Sequence, residues 1–291
     1  MLSFLMPVKN ERNYIDEALK SISDVSSMPY EVIVVDDGST DGTSDFVESL
    51  DYDFINLIRT EGVGKVAAFN LAYENAKGDF FILLAGDDRI DPEVVEKRVD
   101  PLLKVEKNCA AITLCKLKSF SENIKYDGMV LPKGKNIGLL SGGCMAFNRA
   151  FGDLAFPIPS ALVNEDSWLV LHARFSHVSI SHVPEVGIYY RIHENNSYKR
   201  GVGFDIVNLQ MWNRQKATFY YLDKYFDELT KKQIKILMCE SVVYSLRYLG
   251  LPFHILTMPS VPLSQKVKAI FHTSGFMYRL RERFYKFFSG R

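Results

Sequence analysis

Along the first half of the chain, short continuous apolar runs alternate with longer stretches in which apolar residues return every three or four positions. The runs at 2–6, 31–35, 54–58 and 80–84 predict strands. Between them, 12–23 places Ile15, Leu19 and Ile22 on one helical face, and Ser39-Thr40-Asp41 marks the entry to a second helix. A third helix is predicted over 63–77, with Ala67, Ala68, Leu71 and Ala72 turned inward. Strands that are apolar throughout, and not merely at alternate positions, belong to a sheet covered on both faces. The repeated strand–helix order then implies right-handed crossovers in a doubly wound, mainly parallel α/β sheet.

Asp91-Pro92 signals one more helix over 92–105, and 110–116 and 143–147 read as further strands. The intervening 119–141, rich in Gly, Lys and Asn, predicts a long exposed excursion of a length uncommon unless it has a function. A helix at 165–174 and a β-rich stretch at 178–191 close a first unit near residue 200. Residues 204–249 carry few turn formers and long apolar stripes (Met211, Phe219, Tyr220, Ile236, Val243, Leu246), which predicts two or more helices. The expected division is an α/β domain over 1–200 and a helical C-terminal extension over 201–291.

Composition adds little until it is localised. An apolar content of 47% supports a sizeable core, and 35 Lys and Arg balance 35 Asp and Glu. The tail is different: residues 254–291 hold seven basic residues against the single acid Glu282, interleaved with aromatics from Phe271 to Phe288. Such a segment fits a peripheral helix on an anionic membrane surface, or equally a helix packed on protein. Nucleic acid is not expected, because the basic character is confined to the tail and no recognition motif accompanies it. The four cysteines lack zinc spacing and lie among apolar residues, as reduced thiols in a cytoplasmic protein would. No leader-like segment precedes the first strand and no apolar run is long enough to span a bilayer, so export is not expected.

The candidate chemistry is acidic. Asp36-Asp37 and Asp87-Asp88 each follow an apolar strand, where open α/β sheets bind ligands. With no Walker lysine loop nearby, four acids there point to a nucleotide held through its base, its ribose and a hard divalent cation.

Five motifs in register resemble family 2 glycosyltransferases of the GT-A fold. They are Met6-Pro7-Val8-Lys9-Asn10-Glu11, Asp36-Asp37-Gly38-Ser39-Thr40-Asp41-Gly42, Gly64-Lys65 through Asn70, Ala76 to Asp79, and Asp87-Asp88. The resemblance covers residues 1 to about 200. It implies inverting transfer of a sugar from a nucleotide-sugar donor, most often a UDP-sugar, to a saccharide or lipid-linked acceptor in cell-surface polysaccharide or glycolipid assembly. Mn²⁺ or Mg²⁺ is the cofactor so implied.

By the same resemblance, Pro7, Val8, Asn10 and Glu11 border the nucleotide, and Asp37 faces the base. Asp36 serves equally well as a cap, and Asp41 is read as one. Lys65, entering a helix behind Gly62-Val63-Gly64, suits a phosphate, although a solvated lysine is as simple a reading. Asp88 is assigned to the metal, with Asp87 reaching the metal or the ribose; the acid often found two residues before Asp87 is replaced by Ala85. Asp166 of Glu165-Asp166 is assigned as catalytic base, with Glu165 in support. Gly143 permits close approach of a sugar. Arg191 and His193 of Tyr190-Arg191-Ile192-His193 suit the diphosphate or the metal. A nucleotidyltransferase, which would carry a Gly-rich basic loop after the first strand, and a nucleotide-sugar-binding protein without turnover are the rival readings.

Overall fold

The computed structural model describes residues 1–259 and 261–288. Of the tail, Arg291 lies outside the described residues, as do the side chains of Glu282, Phe284, Tyr285, Lys286, Phe287 and Phe288. The chain separates into two compact units, Met1–His193 and Glu194–Arg291.

The first unit contains β1 (Leu2–Val8), α1 (Ile15–Ser23), β2 (Tyr30–Asp37), α2 (Thr43–Ser49), β3 (Ile55–Thr60), α3 (Lys65–Asn75), β4 (Phe80–Leu83), β5 (Arg89–Ile90) and α4 (Pro92–Leu103). After these come β6 (Ala111–Phe120), β7 (Val130–Leu131), β8 (Met145–Asn148), α5 (Arg149–Ala155), α6 (Asp166–Phe175) and β9 (Ser179–Arg191). Among the described residues the strands form one nine-stranded sheet in the order β3-β2-β1-β4-β8-β6-β9-β5, with β7 on β6. The β3-β2-β1-β4 half is parallel, whereas β8 enters antiparallel to both β4 and β6. Leu2, Phe4, Met6, Val32, Val34 and Ile82 are fully buried, as strands covered on both faces require.

Several boundaries differ from the sequence expectation. β1 continues through Pro7 and Val8, which pair with Val35 and Asp36 of β2 and lie inside the strand instead of leaving it. The β4 register ends at Leu5, so Pro7 has a neighbour on one side only and its missing N–H costs the sheet nothing. α3 is shorter than predicted, because Gly64 adopts φ +92° immediately before it. The excursion at 119–141 is tied down by the β6–β7 pairing. β5 and α5 were not foreseen; α5 is capped by Asn148, whose side chain accepts from the Phe151 amide at 3.1 Å.

The second unit contains α7 (Phe204–Lys224), α8 (Lys231–Tyr248), α9 (Pro252–Thr257), α10 (Leu263–Ile270) and α11 (Gly275–Phe288). Thr230 and Gln233 form a reciprocal capping box at the start of α8. Among the described residues no helix is long and apolar enough to cross a membrane.

Candidate active site

Three loops meet at the carboxyl ends of β1, β2 and β4. Asp36 turns back into the loop that follows it: its carboxylate accepts from the Ser39 amide at 2.7 Å and from the Ser44 hydroxyl. Asp41 accepts from the Thr43 amide and from the Arg12 amide, both at 3.0 Å. The carboxyl of Asp41 is pulled both ways, burial raising its pKa and hydrogen bonds from Thr43 and Arg12 lowering it further, so the net shift is downward. Both residues brace the turn. Asn10, in a left-handed conformation at φ 57°, accepts from the Thr40 amide at 2.8 Å and so joins the β1 loop to the same turn.

Asp37 is 5% exposed and faces the α3 entry. Its two oxygens accept the Gly64 amide at 3.0 and 3.1 Å, Thr60 donates at 3.2 Å, and the Lys9 ammonium lies 3.8 Å away. The glycine turn expected to offer free amides to a phosphate therefore gives one of them to the chain's own carboxylate. Lys65, the next residue, meets Glu165 at 3.0 Å. The structure thus gives this lysine an acidic partner inside the chain.

Across the site, Asp87 and Asp88 follow β4 and are both buried. Asp88 accepts the Arg191 amide at 2.8 Å, and the Arg191 side chain donates to the Asp87 carbonyl at 2.9 Å and to Glu17 at 2.7 Å. His193 Nε2 lies 2.9 Å from Asp87 Oδ2. Burial pushes the Asp88 carboxyl well above the usual carboxylate range, and the Asp87 charge adds to this; the Arg191 amide and Lys65 oppose it. Glu11 is raised to about 8 by burial, then by Asp87 and Asp41. One of its oxygens, Oε2, is buried without a hydrogen-bond partner. Gly86 makes this crowding possible, since a Cβ there would come within 2.7 Å of Val8 and 3.2 Å of Glu11. Glu11, Asp87 and Asp88 thus crowd three carboxylates into one place, the two aspartates buried.

Asp166 opens α6, where a carboxylate interacts favourably with the helix dipole. It accepts the Gly142 amide and lies 3.3 Å from the Ser141 hydroxyl. Gly142 has no room for a side chain, because a Cβ would come within 2.5 Å of Asp166 Oδ1. Gly143 follows, and its carbonyl accepts from Arg98 of α4 at 3.2 Å. Arg98 is fully buried, a residue sequence reasoning passed over because helical periodicity alone does not mark an arginine as interior. Glu11 was foreseen as bordering a ligand, but its unusual protonation behaviour was not; only its tertiary neighbours produce it.

The sequence-predicted residues therefore gather into one region of the first unit. Asp37, Lys65, Glu165 and Asp166 lie on the α3–α6 side, and Glu11, Asp87, Asp88, Arg191 and His193 on the β4–β9 side. Pro7 and Val8 end β1 beside this region, and Gly143 lies in the loop before β8. Among the described residues no three His, Cys, Asp or Glu side chains are arranged around a common metal position.

The family model described as Glycosyl transferase family 2 matches residues 3–152, just over half of the chain. The putative teichuronic acid biosynthesis glycosyltransferase TuaG of Bacillus subtilis is 34% identical over 113 residues, which cover 38% of this chain and 44% of that one. The chain thus spans less than half the length of this relative. Among solved structures, S. aureus TarS 1–349 in complex with UDP-GlcNAc superposes with a TM-score of 0.60 at 19% identity, over 96% of this chain and 80% of that one. The mannosyltransferase PcManGT from Pyrobaculum calidifontis, in complex with GDP-Man and Mn²⁺, gives a TM-score of 0.58 at 18% identity, over 97% and 75%. These likenesses establish the GT-A fold.

Proposed function

The chain belongs to glycosyl transferase family 2, and from that premise we propose that it is an inverting glycosyltransferase that uses a nucleotide-sugar, most simply a UDP-sugar, and a divalent metal. The observation that carries this reading is the crowding of three carboxylates, Glu11 with the buried Asp87 and Asp88. Desolvated carboxylates crowded together favour neutral forms unless a cation joins them. Their oxygens are the donor type that Mg²⁺ and Mn²⁺ accept, and such ions commonly complete their shell with substrate phosphates. Asp88 and Asp87 would hold the ion, with His193 at its margin; bound there, it would neutralise charge building on the departing diphosphate.

The remaining roles fall to the chain's own groups. Asp37, held by the Gly64 amide, presents its edge to the base, with Pro7, Val8 and Asn10 alongside. Arg191, already fixed by Glu17 and the Asp87 carbonyl, supplies positive charge near the diphosphate. Asp166, held by the Gly142 amide, takes the proton of the attacking hydroxyl. Glu165 is occupied by Lys65, which fits a supporting role more than that of a second base. The acceptor would be a saccharide or lipid-linked hydroxyl in cell-surface polysaccharide assembly, a reading supported by the name of TuaG. The free cysteines are in keeping with a cytoplasmic setting.

The test is release of nucleoside diphosphate from UDP-, GDP- and dTDP-sugars, with Mn²⁺ or EDTA, for the wild type and Asp88→Ala. Turnover of one donor, abolished by EDTA and by the substitution, is expected. Saturable nucleotide binding without release, even with acceptors present, would instead make this a binding protein.

A further inference from the structure

The two units carry opposite charge. Residues 1–193 hold 19 Lys and Arg against 28 Asp and Glu, a net charge of −9; residues 194–291 hold 16 against 7, a net charge of +9. This partition is hidden in a chain whose overall formal charge is zero.

Within the second unit, α9 and α10 pack on α8 through a small core of Val243, Ile255 and Ala269. Beside the exposed polar residues His254, Thr257, Ser264 and Gln265, these helices also turn large apolar side chains outward. Phe253 is 79% exposed and Leu256, one turn later on α9, 53%; on α10, Leu263 is 68% and Val267, also one turn later, 40% exposed. Leu249, in the turn before α9, is 66% exposed. Lys266 crosses between the helices and donates to the Leu256 carbonyl at 2.7 Å, which sets an ammonium directly beside this apolar surface. Lys268 is exposed on the same helix. Scattered exposed leucines need no explanation, but large apolar side chains grouped on two adjoining short helices do.

We propose that the exposed apolar face of α9 and α10, with Lys266 and Lys268, docks on an anionic lipid bilayer. Short amphipathic helices bind in the interface plane through apolar insertion together with attraction of Lys and Arg to anionic headgroups, and both components are present here. The charge favours this occupant over a second copy of the same face, because two units of +9 repel when brought together. This inference stands apart from the catalytic reading, and either can fail alone.

The full chain is sedimented with vesicles of phosphatidylcholine alone and of phosphatidylcholine mixed with phosphatidylglycerol, at low and high salt. The variants are Phe253→Ser/Leu256→Ser/Leu263→Ser and Lys266→Glu/Lys268→Glu, with Tm and donor hydrolysis followed in parallel. The wild type is expected to pellet with the anionic vesicles and to be released by salt. The apolar triple variant should partition at least about tenfold more weakly at unchanged Tm and unchanged hydrolysis, because each lost side chain removes insertion free energy. The proposal is overturned if the wild type stays in solution with anionic vesicles, or if the triple variant pellets as the wild type does. Self-association of the wild type, lost in the triple variant and with no vesicle binding, would also overturn it and assign the face to a second copy.

Discussion

Lys65 and Glu165, one hundred residues apart, meet at 3.0 Å and join the α3 entry to the α6 entry. The Glu165 side chain is only 8% exposed and its Oε2 has no hydrogen-bond partner, whereas Lys65 keeps 38% of its side-chain surface in solvent. Replacing Lys65 by Met would leave a buried carboxylate with less compensation. A loss of about 1–2 kcal/mol is expected, toward the low end for such removals because the lysine is partly hydrated. Chemical denaturation of Lys65→Met, Glu165→Gln and the double variant checks this; the double variant should recover most of the loss.

Asp166→Asn keeps an oxygen to accept the Gly142 amide but cannot take a proton. If Asp166 is the base, kcat should fall by about 10²–10⁴ with donor KM nearly unchanged. Steady-state kinetics on the donor that the hydrolysis panel identifies would show it. A fall of less than threefold would move the base elsewhere.

Gly142→Ala tests the same relationship from the backbone side. The added Cβ would come within 2.5 Å of Asp166 Oδ1, so the carboxylate has to shift. Misplacing a reacting group by about 1 Å commonly costs on the order of 10²-fold in rate. The expected result is a loss of kcat larger than any change in Tm explains, measured by kinetics and calorimetry on the same preparation.

Glu11 gives a pH dependence with a definite sign. Its pKa is about 8 when folded and the ordinary value is 4.5, so the folded state binds the extra proton between these limits. Stability from this group is fully present below about pH 4.5 and is lost as pH rises through about 8. The Tm of the metal-free wild type should therefore drop more between pH 6 and 9 than that of Glu11→Gln. Equal pH profiles for the two proteins would refute this.

The raised Asp88 carboxyl predicts a second pH effect. If Asp88 holds the metal it must be deprotonated to do so, so Mn²⁺ should bind more tightly as pH rises above the ordinary carboxylate range and should release protons as it binds. Calorimetry in buffers of different ionisation enthalpy measures both. Asp88→Asn should abolish the proton release along with most of the affinity.

The order of strands and helices in the first unit could be read from the apolar periods, because a sheet covered on both faces leaves continuous apolar runs in the chain. The acids at the ends of β2 and β4 could be read for a related reason: a carboxylate placed after such a run has to be accounted for by a partner or a ligand. Asp41, expected as a helix cap, stands one residue before the N-cap Gly42, and its carboxylate accepts the Thr43 amide at the helix entry.

What depends on distant residues was decided by tertiary structure alone. No local signal tells Asp36, braced by Ser39 and Ser44, from Asp37, which reaches across to Gly64. No local signal pairs Lys65 with Glu165, sends Arg98 into the interior behind Gly143, or lifts the pKa of Glu11, because charge and desolvation act through space between segments far apart in sequence. The antiparallel entry of β8 belongs to the same class: the apolar run Met145, Ala146 and Phe147 specifies burial, and only the strands on either side specify direction. Local periodicity thus determined which segments are covered, and the folded arrangement determined which polar groups face one another, since the interactions that fix the second are long-range and leave no period in the chain.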